Sequence, residues 1–316
     1  MTGIIIYKIE TFVILMLLGV LSAKVGIMKK ENLPTLSGLL TKITFPCLGF
    51  ALIYDANTSI VDLFNNSRFV LFELLLSSFL LILGLVTMKL FKLPNSTKQI
   101  HVIQTMFGNQ GFINIPILMS LYVNGEANVY IALFSLVDQI LLWSLGVMIM
   151  SSSDPANGGV FSLATIKKIL NPMNVCMIFA VICTSTHLPI PSVITETVSA
   201  VGNTSFSLAL IFLGATLSYV SLKSFKYIYD YAFLVIVKMF AIPIVVGLIV
   251  SRFVSPIEST ILTLMASMPA MSAIPMMAQT YHSDSEYASQ TVLVMTAFSV
   301  ITIPAVFSIL SLFGIS

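Results

Sequence analysis

The stretch Gly108-Asn109-Gln110-Gly111-Phe112-Ile113-Asn114-Ile115-Pro116 places two glycines, three amide side chains and a proline inside an apolar segment long enough to cross a bilayer. Proline removes a backbone donor and crowds the carbonyl four residues back, here that of Phe112. The glycines loosen the same turns. In lipid, backbone groups freed in this way persist only where protein or a water-filled cavity satisfies them. The stretch therefore reads as a helix interrupted beside a polar cavity. One side of such a break offers N–H groups and partial positive charge, suited to a carboxylate. The other side offers carbonyls, suited to a cation or to a donor on the substrate. Asn109, Gln110 and Asn114 add neutral donors, which hold an anion weakly enough to release it. The competing role for these amides is to cap the broken turns, and for Asn114 both roles stay open.

A second stretch, Met268-Pro269-Ala270-Met271-Ser272-Ala273-Ile274-Pro275, answers the first. Pro275 follows Pro116 by 159 positions, and an isoleucine precedes each. A tyrosine comes six residues after each proline, Tyr122 and Tyr281, and then a short acidic turn, around Glu126 and around Asp284 to Glu286. Gly202 to Phe206 aligns with Gly38 to Pro46 at nearly the same offset. Proline, tyrosine and turn in one register point to an internal repeat of about half the chain.

Ionisable side chains inside a span cost roughly 2.5–3.5 kcal/mol at a helix centre, so each is a functional candidate by default. Lys42 lies mid-span, one turn before Pro46, as counter-charge to an anion or partner to a carboxylate on another helix. Asp138 is also mid-span, placed to carry a coupling proton or to neutralise Lys42 or Lys238. Lys238 has no assigned partner. Glu10 and Glu73 lie nearer span ends and are expected to reach the outer surface or to pair with Lys8 and Arg68. His101, His187 and His282 fall near span ends with no ligand at helical spacing. Cys47, Cys176 and Cys183 form no CxxC or zinc spacing, so neither a metal nor another cofactor is expected.

The elements that carry these residues follow from composition. Of 316 residues, 57% are hydrophobic and 9% charged, and the mean hydropathy is +1.01. Ten apolar runs are long enough to span, at roughly 4–23, 33–54, 69–88, 98–122, 128–150, 171–187, 193–218, 228–250, 259–281 and 287–313. Leu21-Ser22-Ala23 resembles a signal-peptidase site, but the weak basic region before it favours an uncleaved first helix. Basic residues concentrate around Lys24 to Lys30, Lys89 to Lys98, Lys167 to Lys168 and Lys223 to Lys226, all on one side of the membrane if the spans alternate. The positive-inside rule makes that side cytoplasmic and puts both termini on the non-cytoplasmic side of the cell membrane. These clusters are topology signals, and no nucleic-acid role is indicated. Residues 151–170 form the longest polar stretch, read as a cytoplasmic linker between five-helix units at 1–150 and 171–316. Five is odd, so the two units must be inverted. The expected fold is an all-α membrane protein of ten transmembrane helices in two inverted five-helix repeats, with helices 4 and 9 broken at prolines. Inverted repeats with discontinuous helices meeting near the midplane mark secondary transporters.

The sequence resembles the auxin efflux carrier family, which includes plant PIN proteins and bacterial permeases for malate-like acids. The residues that carry the resemblance are Asn109 with Gly111 and Ile115-Pro116, then Met268-Pro269 through Ile274-Pro275, Ala278, Tyr281 and Ile303-Pro304. Lys24 to Ile27, Phe45-Pro46, Gly202 and Gly214 to Leu217 also fit the family, and the likeness runs through all ten spans. The resemblance implies that helices 4 and 9 cross at their prolines and that an anionic substrate binds beside the crossing. It implies that Asn109, Gln110, Pro116, Ala273 and Pro275 border that site, and that helices one, two, six and seven form a scaffold and a homodimer. Asn114 stands where the family commonly has glycine. The long cytoplasmic loop of many plant members is missing, which turns the resemblance toward the bacterial permeases.

The expected function is a carrier for a small organic anion such as a carboxylate, working in the lipid bilayer by elevator-type alternating access. A sodium-coupled symporter of the bile-acid type shares the crossed-helix plan. Sodium needs a cage of oxygens, which Gln110, Asn114, Ser272 and Gln279 supply in part, with no acidic member. An intramembrane enzyme is disfavoured, because the chain lacks metal-ligand spacing, a Gly-x-Ser-x-Gly elbow and paired aspartates. No catalytic residue is assigned.

Overall fold

The structure, a computed structural model, describes residues 2–151, 172–219 and 226–315, and every regular element among them is helical. The first half holds α1 (Thr2–Lys24), α2 (Leu33–Leu39), α3 (Phe45–Asp55), α4 (Ile60–Asn65) and α5 (Ser67–Leu90). It continues with α6 (Asn95–Met106), α7 (Ile115–Leu121), α8 (Asn128–Leu141) and α9 (Val147–Ser151). The second half holds α10 (Pro172–Ser185), α11 (Ser192–Ser218), α12 (Ile228–Phe233), α13 (Ile242–Val250), α14 (Pro256–Ser267), α15 (Ile274–Thr280) and α16 (Ser285–Leu312). The expected linker at 151–170 lies outside the described residues, Ser151 apart.

Six helical stretches are long and apolar enough to cross a membrane: Lys30–Asp55, Ser67–Leu90, Asn128–Met150, Ser192–Ser218, Ile228–Val250 and Ser285–Leu312. Helix α5 shows what they face. Phe69, Glu73, Leu76, Leu80, Gly84 and Thr87 repeat at helical spacing and are buried. The opposite stripe of Leu71, Leu75, Phe79, Ile82 and Val86 is just as regular and exposed. A helix with apolar residues on both faces suits a lipid surround.

Three of the spans meet a proline in the same way. A π-type turn runs over Leu40–Thr44, Gln110–Asn114 and Leu234–Ala241, and each ends two residues before a proline, Pro46, Pro116 and Pro243. The wider turn moves the crowded carbonyl away from the pyrrolidine ring and lets it find another donor. Pro46 is thus accommodated by a local widening over Leu40–Thr44. A fourth π turn, Leu142–Gly146, has no proline after it.

The helices pack in two groups. Helices α1, α3, α10 and α11 form one. Its closest approach is at Gly19 and Gly214, where an added Cβ would lie 2.0 Å from the Ile211 carbonyl oxygen and 1.9 Å from that of Met16. Only glycine lets two helix backbones meet so closely. Helices α5 and α6, the span from α12 to α13, and α14 to α16 form the other. Phe112 joins the groups: its ring stacks on Phe45, with centroids 4.9 Å apart, and meets Phe212 edge-on.

Candidate functional site

The two stretches singled out in the sequence face each other. Helix α6 stops at Met106, and Phe107 turns to an extended backbone. Helix α14 stops at Ser267, and Met268 does the same. The freed segments pair as a minimal antiparallel bridge at Gly108 and Ala270. The Asn109 N–H donates to the Pro269 carbonyl at 2.7 Å, and the Met271 N–H donates to the Phe107 carbonyl at 3.3 Å. Each break thereby satisfies the other's backbone, as a membrane interior demands. Gly108 permits the approach: an added Cβ would lie 2.7 Å from Cβ of Met268 and 3.0 Å from Nε2 of Gln110. Around Gly111 there is open space instead.

The breaks precede the prolines rather than coincide with them. Pro116 and Pro275 are the second residues of α7 and α15, where a fixed φ and a missing N–H do no harm. The interruption itself comes from the residues that pair, Phe107 to Asn109 and Met268 to Met271.

The amide orientations are set by their backbone partners. Oδ1 of Asn109 accepts from the Phe112 N–H at 3.3 Å, so Nδ2 points away, buried and without a partner. Nε2 of Gln110 reaches the Met265 carbonyl at 3.5 Å, which turns Oε1 toward Asn114. Nδ2 of Asn114 donates to it at 2.7 Å, leaving Oδ1 of Asn114 buried and unpartnered. Asn109 thus caps the broken turn and still keeps a free donor. On the facing segment, Oγ of Ser272 is likewise buried without a partner. Buried polar groups normally find partners, and each that does not calls for an explanation. Ala273 and Pro275, half-buried, border the same segment, and Pro116 is buried. The side chain of Gln279 lies outside the described residues.

The charged candidates divide. Lys238, in the π turn before α13, is fully buried and donates to the Met268 carbonyl at the second break. Lys42 is exposed on its span and is not brought to the breaks by any described hydrogen bond or ion pair. Asp138 is 9% exposed and forms no ion pair with Lys42 or Lys238 among the described residues. Glu73 departs from expectation. It does not reach the surface or pair with Arg68, which donates to the Phe253 carbonyl instead. It lies on the inward stripe of α5, 0% exposed, with both carboxylate oxygens unpartnered and Asp138 in electrostatic range.

The sequence reading passed over one polar cluster. Nδ1 of His101, on α6, lies 2.8 Å from Oδ1 of Asp230 at the start of α12. Nε2 of the same ring is 2.7 Å from the Thr87 hydroxyl. The Tyr287 hydroxyl, on α16, donates to the other Asp230 oxygen. Tyr231 donates to Oε1 of Gln290 at 2.8 Å, and Nε2 of Gln104 donates to the Ala288 carbonyl at 2.8 Å. No spacing within one helix signals this cluster, because its members come from α5, α6, α12 and α16. A cavity of about 230 Å³ lies toward the other end of α14, lined among others by Ser251, Ser259, Thr260, Thr263 and Phe307. Its lining includes no residue of either break.

Two interrupted helices joined back to back, inside a helical body with a lipid-facing surface, agree with comparison to known families. A profile described as membrane transport protein matches residues 4–158 and 159–307, nearly the whole chain. No curated protein matches the chain in sequence. The chain therefore belongs to the membrane transport protein family, that of the auxin efflux carriers and PIN-like proteins.

Proposed function

We propose that the chain is a secondary carrier that moves a small organic anion, such as a carboxylate, by elevator-type alternating access. The observation that carries this reading is a pair of buried, unpartnered groups able to donate at two facing breaks: Nδ2 of Asn109 and Oγ of Ser272. A donor and a hydroxyl left unsatisfied at mid-chain breaks are the groups a transient carboxylate would use. Gly111 supplies the adjoining space. Ten spans in two inverted five-helix repeats, divided at the 151–170 linker, fit the paired breaks, and both termini then lie on the non-cytoplasmic side. The group around α1 and α11 is the candidate scaffold and homodimer surface. The group bearing both breaks is the candidate moving body, with Phe112 at the boundary. Glu73 and Asp138, buried together without a cationic partner among the described residues, are the candidates for a coupling proton.

The test is uptake of labelled malate, malonate and indole-3-acetate into proteoliposomes, with sodium, proton and potential gradients imposed singly. Saturable uptake of one acid is expected. Uptake of none, by folded and inserted protein, would overturn the anion-carrier reading. A requirement for sodium would favour the symporter.

A further inference from the structure

We infer that Lys238 is a tethered cation: it takes the place of a co-transported metal ion at the second break and supplies the positive charge against which the anion is held. The inference deepens the anion-carrier reading and rests on it. The end of α14 leaves a cluster of backbone carbonyls facing the break, the negative pole of the helix. In an interrupted membrane helix this pole binds a free cation. Here two side chains already occupy it. Gln110 donates to the Met265 carbonyl at 3.5 Å, and Lys238 donates to the Met268 carbonyl. Oε1 of Gln110, one of the oxygens a sodium cage would need, already accepts from Nδ2 of Asn114 at 2.7 Å.

A second, independent observation points to the anion. Lys238 is 0% exposed, and no carboxylate pairs with it among the described residues. An ammonium carries three donors, and one carbonyl satisfies one of them. A buried charge without a counter-charge is strongly unfavourable, so an arriving anion is what holds this amine in its charged form. Neighbouring backbone ties Lys238 to the substrate amides. Met268 is followed by Pro269, whose carbonyl accepts from the Asn109 N–H. The Lys238 amine and the Asn109 backbone N–H thus hold consecutive carbonyls, those of Met268 and Pro269. The charge belongs to the group of helices that carries both breaks and would travel with the substrate. A monovalent anion is then neutralised on the way across, without an accompanying metal ion.

Two measurements test this, one of them independent of transport. In proteoliposomes with choline replacing every alkali cation, the native protein should keep its uptake, and Lys238→Met should lose it by about tenfold or more, the scale of one charge-assisted hydrogen bond. In thermal unfolding of detergent-solubilised protein, the native Tm should be the same in sodium and choline chloride. Lys238→Ala should melt lower in choline chloride and recover with n-propylammonium or sodium chloride, which refill the vacated position. Sodium dependence of native uptake or native Tm overturns the inference. So does a Lys238→Ala protein whose Tm no cation raises. If Lys238→Ala does not fold, Lys238→Gln decides: it keeps a donor for Met268 without the charge, and unchanged uptake overturns the inference. If the native protein carries none of the acids, the carrier reading fails, while the Tm series still reads Lys238.

Discussion

The two half-helices that end at the breaks both bury apolar residues, Ile100 and Ile103 on α6 as well as those of α14, but they differ in their polar tethers. Helix α6 is tethered by polar side chains, with His101 bound to Asp230 and Thr87 and Gln104 bound to the Ala288 carbonyl. Helix α14 is held by apolar packing, with Ile261, Leu262, Leu264 and Ala266 fully buried. The breaks differ in the same sense. The first presents only neutral amides, and the second is capped by an ammonium. A repeat supplies two copies of one backbone device. The side chains then differ, so one copy carries buried amides and the other a buried lysine.

This contrast can be broken at its strongest point first. Asp230→Ala leaves His101 buried without its carboxylate and should cost about 3–5 kcal/mol of stability. Ile261→Val, a comparable cut in the packing of α14, should cost only about 0.5–1.5 kcal/mol. Chemical unfolding in detergent measures both, and equal losses would show that the tethers are alike. Gly108→Val drives a side chain into Met268 and should abolish uptake, whereas Gly111→Ala only narrows the open space beside the break and should lower uptake far less. Similar effects of the two would deny that the bridge holds the site. Asn109→Ser keeps an N-cap acceptor for the Phe112 N–H but removes the free amide donor. Its Tm should stay close to native while uptake falls by about tenfold or more; a parallel fall in Tm would mean that Asn109 only caps. The smallest effects belong to the prolines. Pro116→Ala restores an N–H that lets the π turn relax toward α and should lower uptake a few-fold, by roughly 0.5–1 kcal/mol. Pro275→Ala adds an N–H near the Met271 carbonyl, which already accepts from Ile274, and should lower it less. Unchanged uptake in both would remove the prolines from the mechanism.

The sequence revealed most where chemistry and backbone signals coincide. Two proline-bearing stretches in register, the first also bearing glycines, predicted two breaks, and the structure pairs them at Gly108 and Ala270. It revealed less where the deciding fact is which face of a helix a residue takes. Glu73 was placed by its distance from the span end, yet it shares a stripe with Phe69, Leu76, Leu80, Gly84 and Thr87. Gly84 and Thr87 mark that stripe as the one that meets protein, and periodicity could have found it. His101 was dismissed for want of a partner at helical spacing. Its partners lie on helices far along the chain, and no local pattern reports them. Lys238 had the same difficulty in sharper form, because its partner is a backbone carbonyl, which any residue supplies.

The bridge between the breaks also constrains how the protein is made. The Gln110 side chain waits for a carbonyl 155 residues further along the chain, and the Phe107 and Gly108 backbone waits for Ala270 and Met271. During synthesis, the first break is threaded into the membrane long before its counterpart leaves the ribosome. Until then, its polar backbone needs shelter other than lipid. Biogenesis must keep the nascent first half inside a wet or proteinaceous compartment until the second half arrives to close it.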